Sequence, residues 1–150
     1  MDSTSPPYRV NMTPPPDIDS VNAMVAEQYP GSMNRCVELG RDHAIAACDV
    51  TPGDIRPGGF ISGPTQFAVA DCALWFLAFA GLGRIEPMAL TSELSIRFLR
   101  PAIGERLMCR ASLEAVSRRS VIGTAHVWVD GQPDKITAAA QGTYAVPLPR

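Results

Sequence analysis

The stretch Ser62-Gly-Pro-Thr-Gln-Phe-Ala-Val-Ala-Asp71-Cys-Ala-Leu-Trp-Phe-Leu-Ala-Phe-Ala80-Gly-Leu-Gly83 decides the fold. Ser62 and Gly63 suit the cap of a helix, and Pro64 suits its first helical position, where no backbone N–H is needed. The helix is predicted over 64–80, with Gly81 and Gly83 available to end it. It is roughly 25 Å long at 1.5 Å per residue. Its side chains are apolar in every direction, so the sequence calls for burial all round.

Working outward, the rest of the chain must supply the cover. Downstream lie four strand-like runs, 88–99, 105–116, 120–129 and 135–146. In the first, Leu94, Ile96 and Phe98 alternate with Glu93, Ser95 and Arg97, the period of a half-buried strand. Short turns at 101–104, Arg118-Arg119 and Asp130-Gly131 predict antiparallel neighbours. Upstream, 34–50 reads as one further strand, and the Pro- and Gly-dense segment 51–59 as irregular. Residues 17–28 carry apolar positions at Ile18, Val21, Met24 and Val25, a helical spacing closed by Tyr29-Pro30-Gly31. The predicted architecture is α+β, an antiparallel sheet of about five or six strands curled around one long helix. Residues 1–16, rich in Ser and Pro, read as a flexible arm, and 17–150 as a single domain.

Composition narrows the function. The 150 residues carry a net charge of -2 and no basic block, which argues against nucleic acid as the ligand. The N-terminus lacks the basic start and apolar run of a secretory signal. The longest apolar stretch, Phe67 to Leu82, is short for a membrane span and contains Asp71, so no membrane partner is expected. Cys36, Cys48, Cys72 and Cys109 share no metal-site spacing and read as reduced thiols of a cytoplasmic protein. No metal site or cofactor is expected.

Asp71 is the only charge between Pro64 and Gly83. Removing a carboxylate from water is costly, so its place in an apolar helix needs a reason. It could accept hydrogen bonds that tie elements together, or serve as a base or nucleophile in an apolar pocket. The helix start adds a second feature, because its free N–H groups and dipole favour developing negative charge. Gly63, lacking a side chain, would let a substrate carbonyl approach its N–H. Gly63 and Asp71 lie roughly 12 Å apart along one helix, too far for a single carbonyl. Two antiparallel copies would bring Gly63 of one to Asp71 of the other, so a composite site predicts a dimer.

The segment from Ser62 to Ala73 resembles the helix start of hotdog-fold acyl-CoA thioesterases of the phenylacetic-acid-degradation type, which commonly read His-Gly-Gly, a small apolar run, then Ala-Asp-x-Ala. Leu94-Ser-Ile-Arg-Phe-Leu-Arg-Pro101 is similar to a strand end of that family, and Gly142-Thr-Tyr144 to its last-strand signature. The resemblance implies a hotdog fold assembled as a homodimer or homotetramer, and hydrolysis of an acyl-CoA-type thioester at the dimer interface, with coenzyme A entering as part of the substrate. By position it makes Asp71 the catalytic carboxylate, Gly63 the oxyanion donor and Ser62 a third catalytic-site position. It also places Arg56, Thr65, Arg97, Arg100, Arg118 and Arg119 as candidate substrate contacts, the arginines toward the nucleotide end of coenzyme A. Two departures stand out. Ser62 replaces the usual His, losing a group that titrates near neutral pH, and Pro64 replaces the second Gly.

The rival expectation is a non-catalytic hotdog module that binds acyl-CoA or a protein, with Asp71 serving only to join helices. His43 and His126 fall on strands away from the helix start and read as structural, and the loop 51–59 holds no histidine for a dehydratase reaction. Ser62 lies in no GxSxG elbow.

Overall fold

The central helix, α2, spans Gly63–Leu82 in the computed structural model, which describes residues 12–148. It begins one residue earlier than predicted because the Ser62 hydroxyl accepts from the Thr65 N–H. That makes Ser62 the N-cap and puts Pro64 second, still a position without a needed donor. Gly83 ends the helix at φ 70°, a left-handed conformation that glycine adopts without strain. Residues 1–11 of the expected arm lie outside the described residues.

Ahead of α2 come α1 (Ile18–Gln28), β1 (Asn34–Leu39), β2 (His43–Asp49), a 3₁₀ turn (Pro52–Asp54) and a two-rung hairpin of β3 (Ile55–Arg56) and β4 (Phe60–Ile61). After it come β5 (Leu90–Phe98), β6 (Arg106–Val116), β7 (Ser120–Val129) and β8 (Ile136–Ala145). The six long strands form one antiparallel sheet in the order β1-β2-β6-β7-β8-β5. α1 packs on β1 through Val21, Met24 and Val25.

Three readings need correction. The run 34–50 is not one strand but the β1–β2 hairpin, reversed at residues 40–42, where the Gly40 N–H bonds to the His43 carbonyl. Segment 51–59 is not wholly irregular, since Gly58 and Gly59 at positive φ turn β3 back onto β4. The short connection 101–104 does not make a hairpin of β5 and β6: β5 lies at the sheet edge and pairs with β8. Ala102 is instead anchored by the Ile61 N–H, which holds this connection across the start of α2.

The sheet grips α2 through small inward residues. Gly123 and Gly142 face each other on β7 and β8. A Cβ on Gly123 would collide with Leu77 and sit 2.7 Å from the Ser112 carbonyl oxygen, while one on Gly142 would sit 2.8 Å from Leu74. These two positions therefore let the helix settle onto the backbone of the sheet. Phe76, Leu77 and Phe79 are fully enclosed there with Leu107, Cys109 and Val127.

Burial all round, however, is not achieved by one chain. Pro64, Phe67 and Ala68 are exposed and Asp71 and Trp75 half-exposed, a stripe at helical spacing that the sheet leaves uncovered. By length and composition α2 could cross a membrane, but most of it is enclosed by its own sheet.

Candidate active site

The uncovered stripe of α2 floors a groove of about 760 Å³. Its walls are the α1–β1 connection, with Tyr29, Met33 and Asn34, and the chain entering β5, with Pro87, Leu90 and Thr91. Asp54, Ser62 and Thr65 lie at the helix-start end, and Asp71, Cys72 and Trp75 lie further along. Trp75 Nε1 and Asn34 Oδ1, both of groove-lining residues, are buried polar atoms with no hydrogen-bond partner among the described residues.

Asp71 accepts hydrogen bonds that tie elements together, as one of the two readings of its sequence allowed. Its Oδ1 accepts from the Tyr144 hydroxyl and from the Thr91 hydroxyl, each at 2.6 Å. The Tyr144 oxygen is also 2.9 Å from the Asp71 carbonyl. Two charge-assisted hydrogen bonds of this length offset much of the cost of partial burial. Burial, followed by the hydrogen bond to Asp71 and then the Asp71 charge, pushes the Tyr144 phenol well above its ordinary range, so it remains an O–H donor at any physiological pH.

Thr91 reaches Asp71 because of a bulge. Strict alternation back from Leu94 puts Ser92 inward and Thr91 outward, but the β5–β8 register shifts between Thr91 and Glu93. The extra residue brings Thr91 opposite Tyr144, on the helix side of the sheet.

At the helix start the first-turn donors are nearly all accounted for. Thr65 N–H goes to the Ser62 hydroxyl, Gln66 N–H to the Ser62 carbonyl, and Pro64 has none. Among the described residues the Gly63 N–H donates to no group, which leaves it as the one donor of the first turn unclaimed there. Gly63 also sits beneath Phe98, whose ring would lie 3.2 Å from an added Cβ.

Ser62, read as a catalytic-site position, is committed to capping: its hydroxyl meets Thr65 Oγ1 at 2.9 Å and Thr65 N at 3.3 Å. Thr65, read as a substrate contact, is buried and donates to Asp54 Oδ1 at 2.8 Å. The backbone N–H of Thr51 in particular, with the Thr65 and Thr51 hydroxyls, holds the Asp54 carboxyl below its usual range. Asp54 thereby ties the loop to the helix start, a link the sequence reading missed.

The arginines do not gather. Arg56, on β3, and Arg100, whose N–H meets the Thr137 carbonyl beside Gln66, lie near the start of α2. Arg97 sits on the outer face of β5 opposite Ala139. Arg118 and Arg119 turn β6 into β7 at the far end of α2, where Val116 and Val121 pack near Gly81. Within one subunit they are thus separated from Gly63 by most of the helix, on the order of 25 Å.

Of the two histidines, His43 is tied by its ring to Glu38 at 2.7 Å and Asp42 at 3.0 Å. His126 is exposed on the outer face of β7, so the structural role expected of it is not seen. All four cysteines are buried and free. Of the aromatics, Phe76 and Phe79 belong to the core, while Trp75 lines the groove and stands 5.3 Å from the Phe79 ring.

Comparison with known proteins supplies the relatives. The fold matches that of a candidate thioesterase from Silicibacter sp. TM1040 at 27% identity and a TM-score of 0.81, over 95% of this chain and 99% of that one. It also matches the phenylacetic acid degradation protein PaaI of Escherichia coli, at 17% identity and a TM-score of 0.70, over 85% of this chain and 92% of that one. A mutant PaaI of Thermus thermophilus matches at 22% identity and a TM-score of 0.64, over 79% of this chain and 96% of that one. No curated protein matches the chain. A family model described as the thioesterase superfamily covers residues 58–136, from the loop before α2 to the start of β8. With its six-stranded antiparallel sheet curled on one long helix, the chain therefore belongs to the thioesterase superfamily and has the hotdog fold.

Proposed function

We propose that this chain hydrolyses an acyl-CoA-type thioester at a site shared by two copies. The observation that carries the reading is Asp71 itself, a carboxylate held by two hydroxyls on one oxygen while it lines an apolar groove. The family supplies the reaction class.

In this reading Asp71 takes a proton from a water molecule as that water's oxygen bonds to the thioester carbonyl carbon. The carbonyl oxygen becomes an oxyanion, and the unclaimed Gly63 N–H of the partner subunit receives it at the positive end of a helix. Collapse of the intermediate breaks the C–S bond. The thiolate leaves and takes up the proton, giving a free acid and a thiol. The acyl group would lie in the groove toward Trp75, and the nucleotide end of coenzyme A would extend toward Arg56 or Arg100 at the helix start. No cofactor enters this scheme.

A second copy has a surface to meet. Phe67 on the bare stripe and Leu90, Phe98 and Leu99 on or beside the edge strand β5 are exposed by 38, 63, 52 and 57%. An unpaired edge flanked by apolar side chains favours pairing with another chain. A soluble cytoplasmic homodimer, or a homotetramer built from it, is the assembly proposed.

The test is thiol release from a panel of acyl-CoA thioesters. Asp71→Ala should leave a folded oligomer with hydrolysis near background. Gly63→Pro removes the unclaimed N–H, while its ring adds atoms beside Phe98 and ahead of Pro64; once melting shows the oligomer folded, it should lower kcat on the order of a hundred- to a thousandfold. Gly63→Ala keeps the N–H and controls for crowding against Phe98. A full rate in Asp71→Ala would refute the proposed role. A wild-type chain inactive across the panel, yet binding acyl-CoA, would favour the non-catalytic module, which the missing His at Ser62 also permits.

A further inference from the structure

We propose that Tyr144 is a positioning residue: together with Thr91 it occupies Oδ1 of Asp71 and so selects Oδ2 as the oxygen that takes the proton of the attacking water. The inference rests on the function proposed above and adds to it a residue on β8, the strand farthest along the chain from α2.

The two donors are built as a pair. Thr91 and Tyr144 stand directly opposite each other on β5 and β8, and both hydroxyls converge on one atom, Oδ1, at 2.6 Å. The bulge after Thr91 is what turns that residue to the helix side. Bulges disrupt a ladder locally, and they recur where a side chain has to be re-aimed. Holding the carboxylate in place would need only one donor; two donors on the same oxygen also decide which oxygen is spent. Among the described residues no donor reaches Oδ2, although Asp71 lines the groove.

The consequence is chemical. A carboxylate oxygen that accepts two short hydrogen bonds has its lone pairs engaged and is a poor proton acceptor. The other oxygen keeps the basic lone pairs. Tyr144 is buried except for 5% of its surface, and its rigid ring fixes the direction of the hydroxyl. Asp71 cannot then rotate about its terminal bond without breaking two bonds at once. The water would be met by the same oxygen in every turnover, at the orientation that the sheet dictates.

A purely structural Tyr144 would merely fasten β8 to α2. The two roles separate on turnover: a fastening role moves the melting temperature alone, whereas a positioning role moves kcat at nearly constant KM. In Tyr144→Phe, kcat should fall about tenfold with KM within about twofold. Thr91→Val should lower kcat in the same way, while Thr91→Ser keeps the hydroxyl and should restore the wild-type kcat. If Tyr144→Phe and Thr91→Val lower only the melting temperature and leave kcat and KM in place, the positioning role is overturned. That result beside an inactive Asp71→Ala chain would leave the proposed hydrolysis standing, whereas an Asp71→Ala chain at full rate would overturn the role of Asp71 on which this inference rests.

Discussion

The two sides of α2 are written in nearly the same apolar alphabet and do different work. The side against the sheet, with Val69, Ala73, Phe76, Leu77 and Ala80, is closed off from solvent. The other side carries Pro64, Phe67, Ala68, Asp71 and Trp75 and stands open to a groove. Composition cannot tell these sides apart; what distinguishes them is where the sheet stops. A helix apolar all round wrapped by a sheet that covers only part of it is an incomplete object, and in the present reading a second copy completes it.

Mutations should break that contrast in order of size. Phe76→Ala empties a fully enclosed position and should cost about 3–5 kcal/mol in denaturant unfolding. Gly123→Ala forces a methyl between Leu77 and the Ser112 carbonyl and should cost about 1–3 kcal/mol, visible as a lower melting temperature. Phe67→Ala on the open side should cost under about 1 kcal/mol per chain, its loss appearing instead as dissociation on dilution.

A pH effect belongs to the buried thiols and to Tyr144. Burial pushes the Cys36 thiol up to about 11 and those of Cys72 and Cys109 further, and raises the Tyr144 phenol. Each is neutral when protonated, and the fold keeps it so. Their contribution is therefore complete below the unfolded thiol value of 9.0 and is lost as pH rises through the native values. Thermal melts should show a stability plateau ending near pH 9, with a steep decline above it. A modest effect on folding is expected at Trp75. Trp75→Ala should leave the fold within about 1–2 kcal/mol of wild type while shifting kcat/KM toward bulkier acyl groups.

The sequence disclosed α2, its cap and its single charge, because an apolar run bounded by Ser62 and Gly83 is a local signal. It disclosed β6 to β8 for the same reason. It did not disclose that β5 pairs with β8 rather than β6, because a four-residue connection is equally compatible with a hairpin and with a crossing over the helix start. Nor could it reveal Thr91: alternation counted from Leu94 points that side chain the wrong way, and only the bulge corrects it. Tyr144 was visible as a motif residue, but its bond to Asp71 joins positions 73 apart in the chain. Asp54 was hidden in a loop whose Pro and Gly content suggested no order. Of the six substrate-contact candidates, Arg118 and Arg119 fell at the opposite end of α2, since charge and exposure along a sequence carry no information about distance from Gly63.

The account stands on a site divided between two chains, and complementation tests that directly. Asp71→Ala and Gly63→Pro chains, each inactive alone, are mixed in equal amounts under conditions that allow subunits to exchange, and thiol release is followed. A shared site predicts recovery to about a quarter of the wild-type rate, since half of the dimers are mixed and each holds one intact site of two. Exchange that is complete by mass spectrometry yet restores no activity would place both groups in one chain's site and contradict it.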